Sequence, residues 1–245
     1  MDKQFFTRQF AIAVACLLLA VVLFDFTSID LWVQQKLYRP DVGQWILDKQ
    51  DPTLRMLFYD GPKSLLTLLA KVVLLVLIVF RRNELLGKYR SGLLIVLVST
   101  LVTVALVGVL KSLTNVPCPK DLSLFGADHP YVTFLHRLPL VDTLPRVRCF
   151  PAGHASGGFA LLSLFFLFRR RRNQWIGFAV GMTLGWILGI YKMLIGDHFL
   201  SHTVVTMCLG WLVSLSVAAC VYRCSMQSAT RLEPSTGETE AESVR

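Results

Sequence analysis

Three histidines, His154, His198 and His202, stand out in this 245-residue chain because each sits among small or cationic residues. His154 lies in RVRCFPAGHAS, and His198 and His202 lie in YKMLIGDHFLSH. A further polar cluster, KSLTNVPCPKD, contributes Lys111. Lys111, Arg148 and Lys192 can hold an anion, while the histidines can transfer protons or attack an electrophile. Fixed cations around histidines suit a phosphate ester, whose charge has to be held while phosphorus is attacked.

The segments between these clusters are strongly apolar. The chain is 54% hydrophobic and 17% charged, whereas soluble domains carry roughly 25% charged residues. Runs of about 17 or more apolar residues recur, and each can cross a hydrocarbon core of ~30 Å. Six spans are expected, at 9–25, 64–81, 91–110, 152–168, 175–195 and 202–222. The fold class is therefore all-α, a polytopic membrane helix bundle of six transmembrane helices, forming one unit over residues 1–225. Lys3 and Arg8 precede the first run, as they would in a signal peptide, but no small-residue cleavage site follows, so a retained anchor is expected. The tail 226–245 is polar and acidic, and is expected to be disordered in the cytoplasm.

Basic residues flanking the spans set an expected orientation. Arg81, Arg82, Lys88 and Arg90 fill one short loop and Arg169 to Arg172 another, which puts both loops and the two termini inside. Segments 26–63, 111–151 and 196–201, with all three polar clusters, then face outside, the periplasm of a bacterial inner membrane. Most of the net charge of +9 follows from this pattern, so nucleic acid is not an expected partner. Residues 26–63 mix aromatic and charged residues, as short amphipathic helices at the interface do. Gly177, Gly181, Gly185 and Gly189 recur every fourth residue, which reads as helix packing, and Gly153 and Gly157 repeat the device. Lys71 lies inside the second span and is expected to snorkel outward; contact with Asp25 is the alternative.

The clusters resemble the type-2 phosphatidic acid phosphatase superfamily of membrane lipid phosphatases. That family has a lysine followed after six residues by Arg-Pro, then Pro-Ser-Gly-His, then Ser-Arg, five residues, His, three residues and Asp. Here Lys111 is followed after SLTNVP by Cys118-Pro119, and Pro151-Ala152-Gly153-His154 matches the second part. Tyr191-Lys192, MLIGD, His198, FLS and His202 match the third, so the resemblance covers about residues 90–222. It implies that His198 is the nucleophile forming a phosphohistidine and that His154 is the general acid. Lys111, Lys192 and Gly153 then form the phosphate site, aided by backbone N–H groups near 152–154. Four positions depart from the pattern. Cys118 replaces an arginine, for which Arg148 or Arg146 could substitute, and Ala152 replaces the serine. Lys192 replaces an arginine, and His202 stands where an aspartate orients the nucleophile, one helical turn from His198.

Cys16, Cys208 and Cys220 read as packing within spans, and Cys224 lies at a cytoplasmic end, whereas Cys118 and Cys149 share an outer loop and are expected to pair in an oxidising compartment. His129 and His136 are expected to be solvated. The leading function is metal-independent, cofactor-free hydrolysis of a lipid phosphate or diphosphate. Transfer of the phosphoryl group to another lipid uses the same site. A zinc hydrolase built on His198 and His202 and a non-catalytic lipid-phosphate binder are the competing readings, the former lacking a third ligand beyond Asp197.

Overall fold

The computed structural model describes residues 2–80, 82–136, 138 and 143–231. Helix α1 (Lys3–Asp25) begins where the Asp2 carboxylate accepts the Phe5 N–H at 2.8 Å. Helix α2 (Ile29–Leu37) follows, then strands β1 (Tyr38–Arg39) and β2 (Gln44–Trp45), paired antiparallel with Tyr38 opposite Trp45. Asp51 caps α3 (Pro52–Arg55) by accepting the Thr53 and Leu54 N–H groups, and Pro52 occupies the first turn, where a missing N–H costs nothing. A wide turn at Met56–Asp60 carries the chain directly into α4 (Gly61–Val79). The second long helix thus starts at Pro52, well before the expected residue 64.

The turn α5 (Glu84–Gly87) leads to α6 (Arg90–Thr114). The short α7 (Gly153–Ala160) tightens into a 3-10 segment at Leu161–Phe166. Helices α8 (Arg171–Leu194) and α9 (Leu200–Arg231) complete the bundle. Residues 226–231 therefore continue α9 and are not irregular, while the rest of the expected disordered tail lies outside the described residues.

Five of these helical segments, containing α1, α4, α6, α8 and α9, are long and apolar enough to cross a membrane. The expected fourth span is shorter, Gly153–Phe166. At ~1.5 Å per α-helical and ~2.0 Å per 3-10 residue it rises about 24 Å, less than a hydrocarbon core of ~30 Å. Its sequence is apolar on every side because protein, not lipid, surrounds it: Ala155, Phe159, Leu162 and Phe165 are all buried.

The glycine ladder of α8 makes that central position possible. A Cβ on Gly181 would overlap the Leu161–Leu162 backbone, and one on Gly185 would enter the Phe159 ring. Gly158 opposes the Gly185 backbone, and Gly189 faces Thr203 of α9. Helices in a bilayer gain little from the hydrophobic effect, so this close backbone approach supplies their contact energy. Lys71 is exposed on the flank of α4, and Asp25 instead accepts the Leu135 N–H at 3.1 Å and pairs with His136 Nδ1 at 2.9 Å.

Gly181→Ala is expected to destabilise the protein by about 1–3 kcal/mol through overpacking. Gly108→Ala is the control, because its Cβ meets nothing within 4 Å. Thermal unfolding in detergent compares them, and equal midpoints would remove the packing role of the ladder.

Candidate active site

One end of the bundle gathers the carboxyl ends of α6 and α8 and the amino ends of α4, α7 and α9. Helix α6 stops at Asn115, which adopts the left-handed conformation (φ 47°) that asparagine tolerates. Its Oδ1 accepts the Val147 N–H at 3.0 Å, and Thr114 Oγ1 donates to the Phe150 carbonyl. A Cys118–Cys149 disulfide joins the same two segments. Together these bonds bring the last turn of α6 to the first turn of α7. There a Cβ on Gly153 would lie 3.7 Å from Lys111 Nζ, so the glycine leaves room for the lysine.

Helix α7 starts without a side-chain cap. The Ala152 N–H, expected to be free for an anion, instead donates to Thr206 Oγ1 at 2.8 Å. The His154 ring stacks on Tyr59 at 4.0 Å between centroids, with 24° between planes. Lys192 Nζ lies 4.6 Å from the Tyr59 centroid and Arg55 Cζ 5.8 Å from it, so one phenol ring packs against an imidazole and two cations.

Residues 195–199 link α8 to α9. The Lys192 carbonyl accepts the N–H groups of Asp197 (2.8 Å) and His198 (3.2 Å), which reverses the chain. Gly196 has φ +72°, and the Trp45 indole occupies the place a Cβ would take, so only glycine fits. From α2, Gln34 Nε2 donates to the His198 carbonyl at 2.6 Å, and Asp30 accepts the Ser201 N–H at 2.9 Å. The outer segment 26–63, expected only to lie at the interface, therefore buttresses this loop.

His198 Nδ1 lies 3.4 Å from His202 Nδ1. One nitrogen of such a pair must donate and the other accept, so the contact couples the two tautomers. Burial, then the neighbouring His202 and Lys111, hold the His198 pKa well below the usual imidazole range, leaving the ring neutral. Cys149 Sγ is 3.4 Å from the same Nδ1. Cys149, His198 and His202 offer ligand atoms within 4.8 Å of one another, which supplies the third ligand the zinc reading lacked. As a disulfide sulfur, however, Cys149 carries no thiolate charge for a metal.

Lys111, Arg148, His154, Lys192 and His198 line one cavity of about 340 Å³, with His202 behind His198. Arg146 points elsewhere, donating to the Ser112 carbonyl at 3.5 Å, so of these two arginines Arg148 is the one beside the cavity. A second, apolar cavity of about 510 Å³ runs between α4 and α6, lined by Leu66, Leu101, Val104 and Gly157, and reaches Tyr59 and His154. His129 lies away from both and is buried, not solvated, with Nε2 3.1 Å from the Pro145 carbonyl oxygen. His136 is exposed but tied to Asp25.

The sequence matches the PAP2 superfamily over residues 92–226, more than half the chain. The chain belongs to the PAP2 superfamily. Members of this superfamily are phosphatases, and the five long apolar helices agree with an integral membrane protein. No curated protein and no solved structure matches the chain significantly.

The PAP2 match begins at residue 92 and so omits α1 to α5, which bring Lys49, Arg55 and Tyr59 to the cavity. Reasoning from the sequence missed these three and Lys120, and considered Asp197 only as a zinc ligand. One local signal was available for two of them. Asp51-Pro52 is a cap followed by a first-turn proline, and a helix starting there puts Arg55 and Tyr59 four residues apart on one face.

Arg148→Ala is expected to weaken inorganic phosphate binding about three- to tenfold, since one charge-assisted contact at an exposed rim is lost. Arg146→Ala should leave binding unchanged. Calorimetry on the oxidised protein in detergent measures both, and equal effects would remove Arg148 from the anion site.

Proposed function

We propose that this protein is a membrane lipid phosphatase that hydrolyses a lipid phosphate or diphosphate at the outer membrane face through a phosphohistidine. The observation that carries the reading is the setting of His198. It is a neutral, buried imidazole at the edge of a strongly cationic cavity, and its Nδ1 is engaged by His202, which leaves Nε2 as the free ring nitrogen. A neutral nitrogen lone pair near an electropositive phosphate site is what nucleophilic attack on phosphorus needs.

In this mechanism His198 Nε2 attacks phosphorus and the bond from phosphorus to the lipid oxygen breaks. His154 delivers a proton to that oxygen, and then takes one from the water that cleaves the phosphorus–nitrogen bond. Lys111, Lys192 and Arg148 balance the charge on the equatorial oxygens. His202 orients the nucleophile. The apolar cavity between α4 and α6 supports a lipid as leaving group, because it meets the cationic cavity at Tyr59 and His154.

Phosphate release from a panel of lipid phosphates and diphosphates, by purified protein in detergent with a chelator present, tests the reading. His198→Ala is expected to abolish turnover with the fold retained, and His154→Ala to slow it about 10²- to 10⁴-fold. More than a few per cent of activity in His198→Ala, or loss of wild-type activity on chelation, would overturn the mechanism.

The outward orientation rests on the basic turns 82–90 and 169–172, which lie at the opposite helix ends from the cavity. With the other exposed cysteines replaced by serine, a cysteine at exposed position Asp128 should react with an impermeant reagent in intact cells. Protection there would reverse the orientation.

A further inference from the structure

The polar cavity contains one carboxylate among its lining residues, and that carboxylate has three ammonium partners. Asp197 Oδ1 accepts from Lys49 Nζ at 3.1 Å and Lys120 Nζ at 2.8 Å, and Oδ2 accepts from Lys192 Nζ at 2.8 Å. The Asp197 side chain is 11% exposed and Lys192 6%, whereas Lys120 and Lys49 are 38% and 53% exposed. Lys111 and Arg148 line the same space without such a carboxylate partner, and so does Arg55, whose Nε donates to Asp60 Oδ2 at 3.1 Å outside it. With Arg55 paired to Asp60, five cations face one anion, and that anion immediately precedes His198 in the chain.

Two oxygens held by converging ammonium groups reproduce part of what a bound phosphate would present. Lys192 cannot give its full charge to phosphate and to Asp197 at once. An uncompensated set of five cations would also retain inorganic phosphate, the last species to leave, more tightly than turnover allows. We infer that Asp197 is a built-in competing anion that draws Lys192, Lys120 and Lys49 away from product phosphate and so sets the rate at which phosphate leaves. The inference rests on the reading of this cavity as a phosphate site. Asp197 is suited to the part because it stays ionised. Burial alone would raise its pKa, but Lys192 and Lys120 together hold it far below the usual carboxylate range. It is accordingly a poor proton acceptor, and acts on the site through its charge.

A purely structural Asp197, tying segments 49 and 120 to the 195–199 loop, makes the opposite prediction. Losing the anchor from either side would then loosen the site and weaken phosphate binding. Inorganic phosphate binding is measured by calorimetry on the full chain in detergent for wild type, Asp197→Asn, Asp197→Glu and Lys49→Ala. Asp197→Asn is expected to bind phosphate at least tenfold tighter, about 1.4 kcal/mol, and to show a lower kcat with stronger product inhibition. Asp197→Glu should restore wild-type binding, and Lys49→Ala should weaken it. Should asparagine alone unfold the loop, the charge-balanced Asp197→Asn/Lys49→Met protein is compared with Lys49→Met, and the same tightening is expected. Binding equal to or weaker than the matched reference overturns the inference while leaving the phosphatase reading intact. Absence of phosphate binding in the wild type overturns both.

Discussion

A cluster of ammonium groups at the edge of a membrane needs a counter-charge, and Asp197 supplies it. Its two oxygens take Lys49 from the loop after the hairpin, Lys120 from the loop after α6, and Lys192 from the end of α8. Three segments far apart in sequence are thereby fixed to the residue before His198. Each ion pair is modest when exposed, as at Lys49. The Lys192 pair is different, because both groups are largely out of solvent and removal of either would leave a charge stranded. The carboxylate therefore organises the pocket, and under the proposed function it would also oppose the phosphate bound there.

Small residues set the other constraint. His154 stands at the start of a helix only fourteen residues long, Gly153–Phe166, and that helix reaches the bundle centre because α8 presents backbone to it. A conventional span of branched side chains at Gly181 and Gly185 would push α7 outward and carry His154 away from Lys111 and Tyr59. The buried position of the short helix, the stacking of His154 on Tyr59 and the clearance between Gly153 and Lys111 are thus linked consequences of one glycine-spaced contact.

Much of this was legible in the sequence, for identifiable reasons. Spans announce themselves through long apolar runs, since a bilayer tolerates few charges, and the four-residue glycine period identified the packing face of α8. The histidines and three of the cations could be named because they sit in spaced motifs. The helical start at Pro52 was less visible, because DPTLRMLFYD mixes charge and apolar residues as an interfacial segment does. Lys49 and Lys120 were invisible, and Asp197 was weighed only as a zinc ligand, for a deeper reason: each is an ordinary loop charge until the fold brings the three together. His129 was misjudged because burial of a loop histidine depends on a partner sixteen residues away, the Pro145 carbonyl. The length of the fourth span was misjudged because hydropathy reports an apolar environment without distinguishing protein from lipid.

In the proposed mechanism, the chemical cost this site carries is that His202 stands where the family pattern has an orienting carboxylate. As the acceptor of the 3.4 Å contact between the two Nδ1 atoms, a neutral His202 leaves His198 Nε2 unprotonated, so in that tautomer orientation survives. It cannot neutralise the positive charge that develops on His198 once a phosphoryl group is attached. A second imidazole beside it, together with Lys111, instead lowers the affinity of His198 for a proton. Asp197 acts in the opposite sense on the same ring, and favours its cationic form. The negative charge that the family places four residues after its nucleophile is here found one residue before it. From that position it can offset charge on His198 through space without a hydrogen bond to it. If His198 is the nucleophile, the local field is thus partly restored by a carboxylate whose hydrogen bonds are spent on lysines, and orientation and charge compensation, one residue's work in the family pattern, are divided between His202 and Asp197.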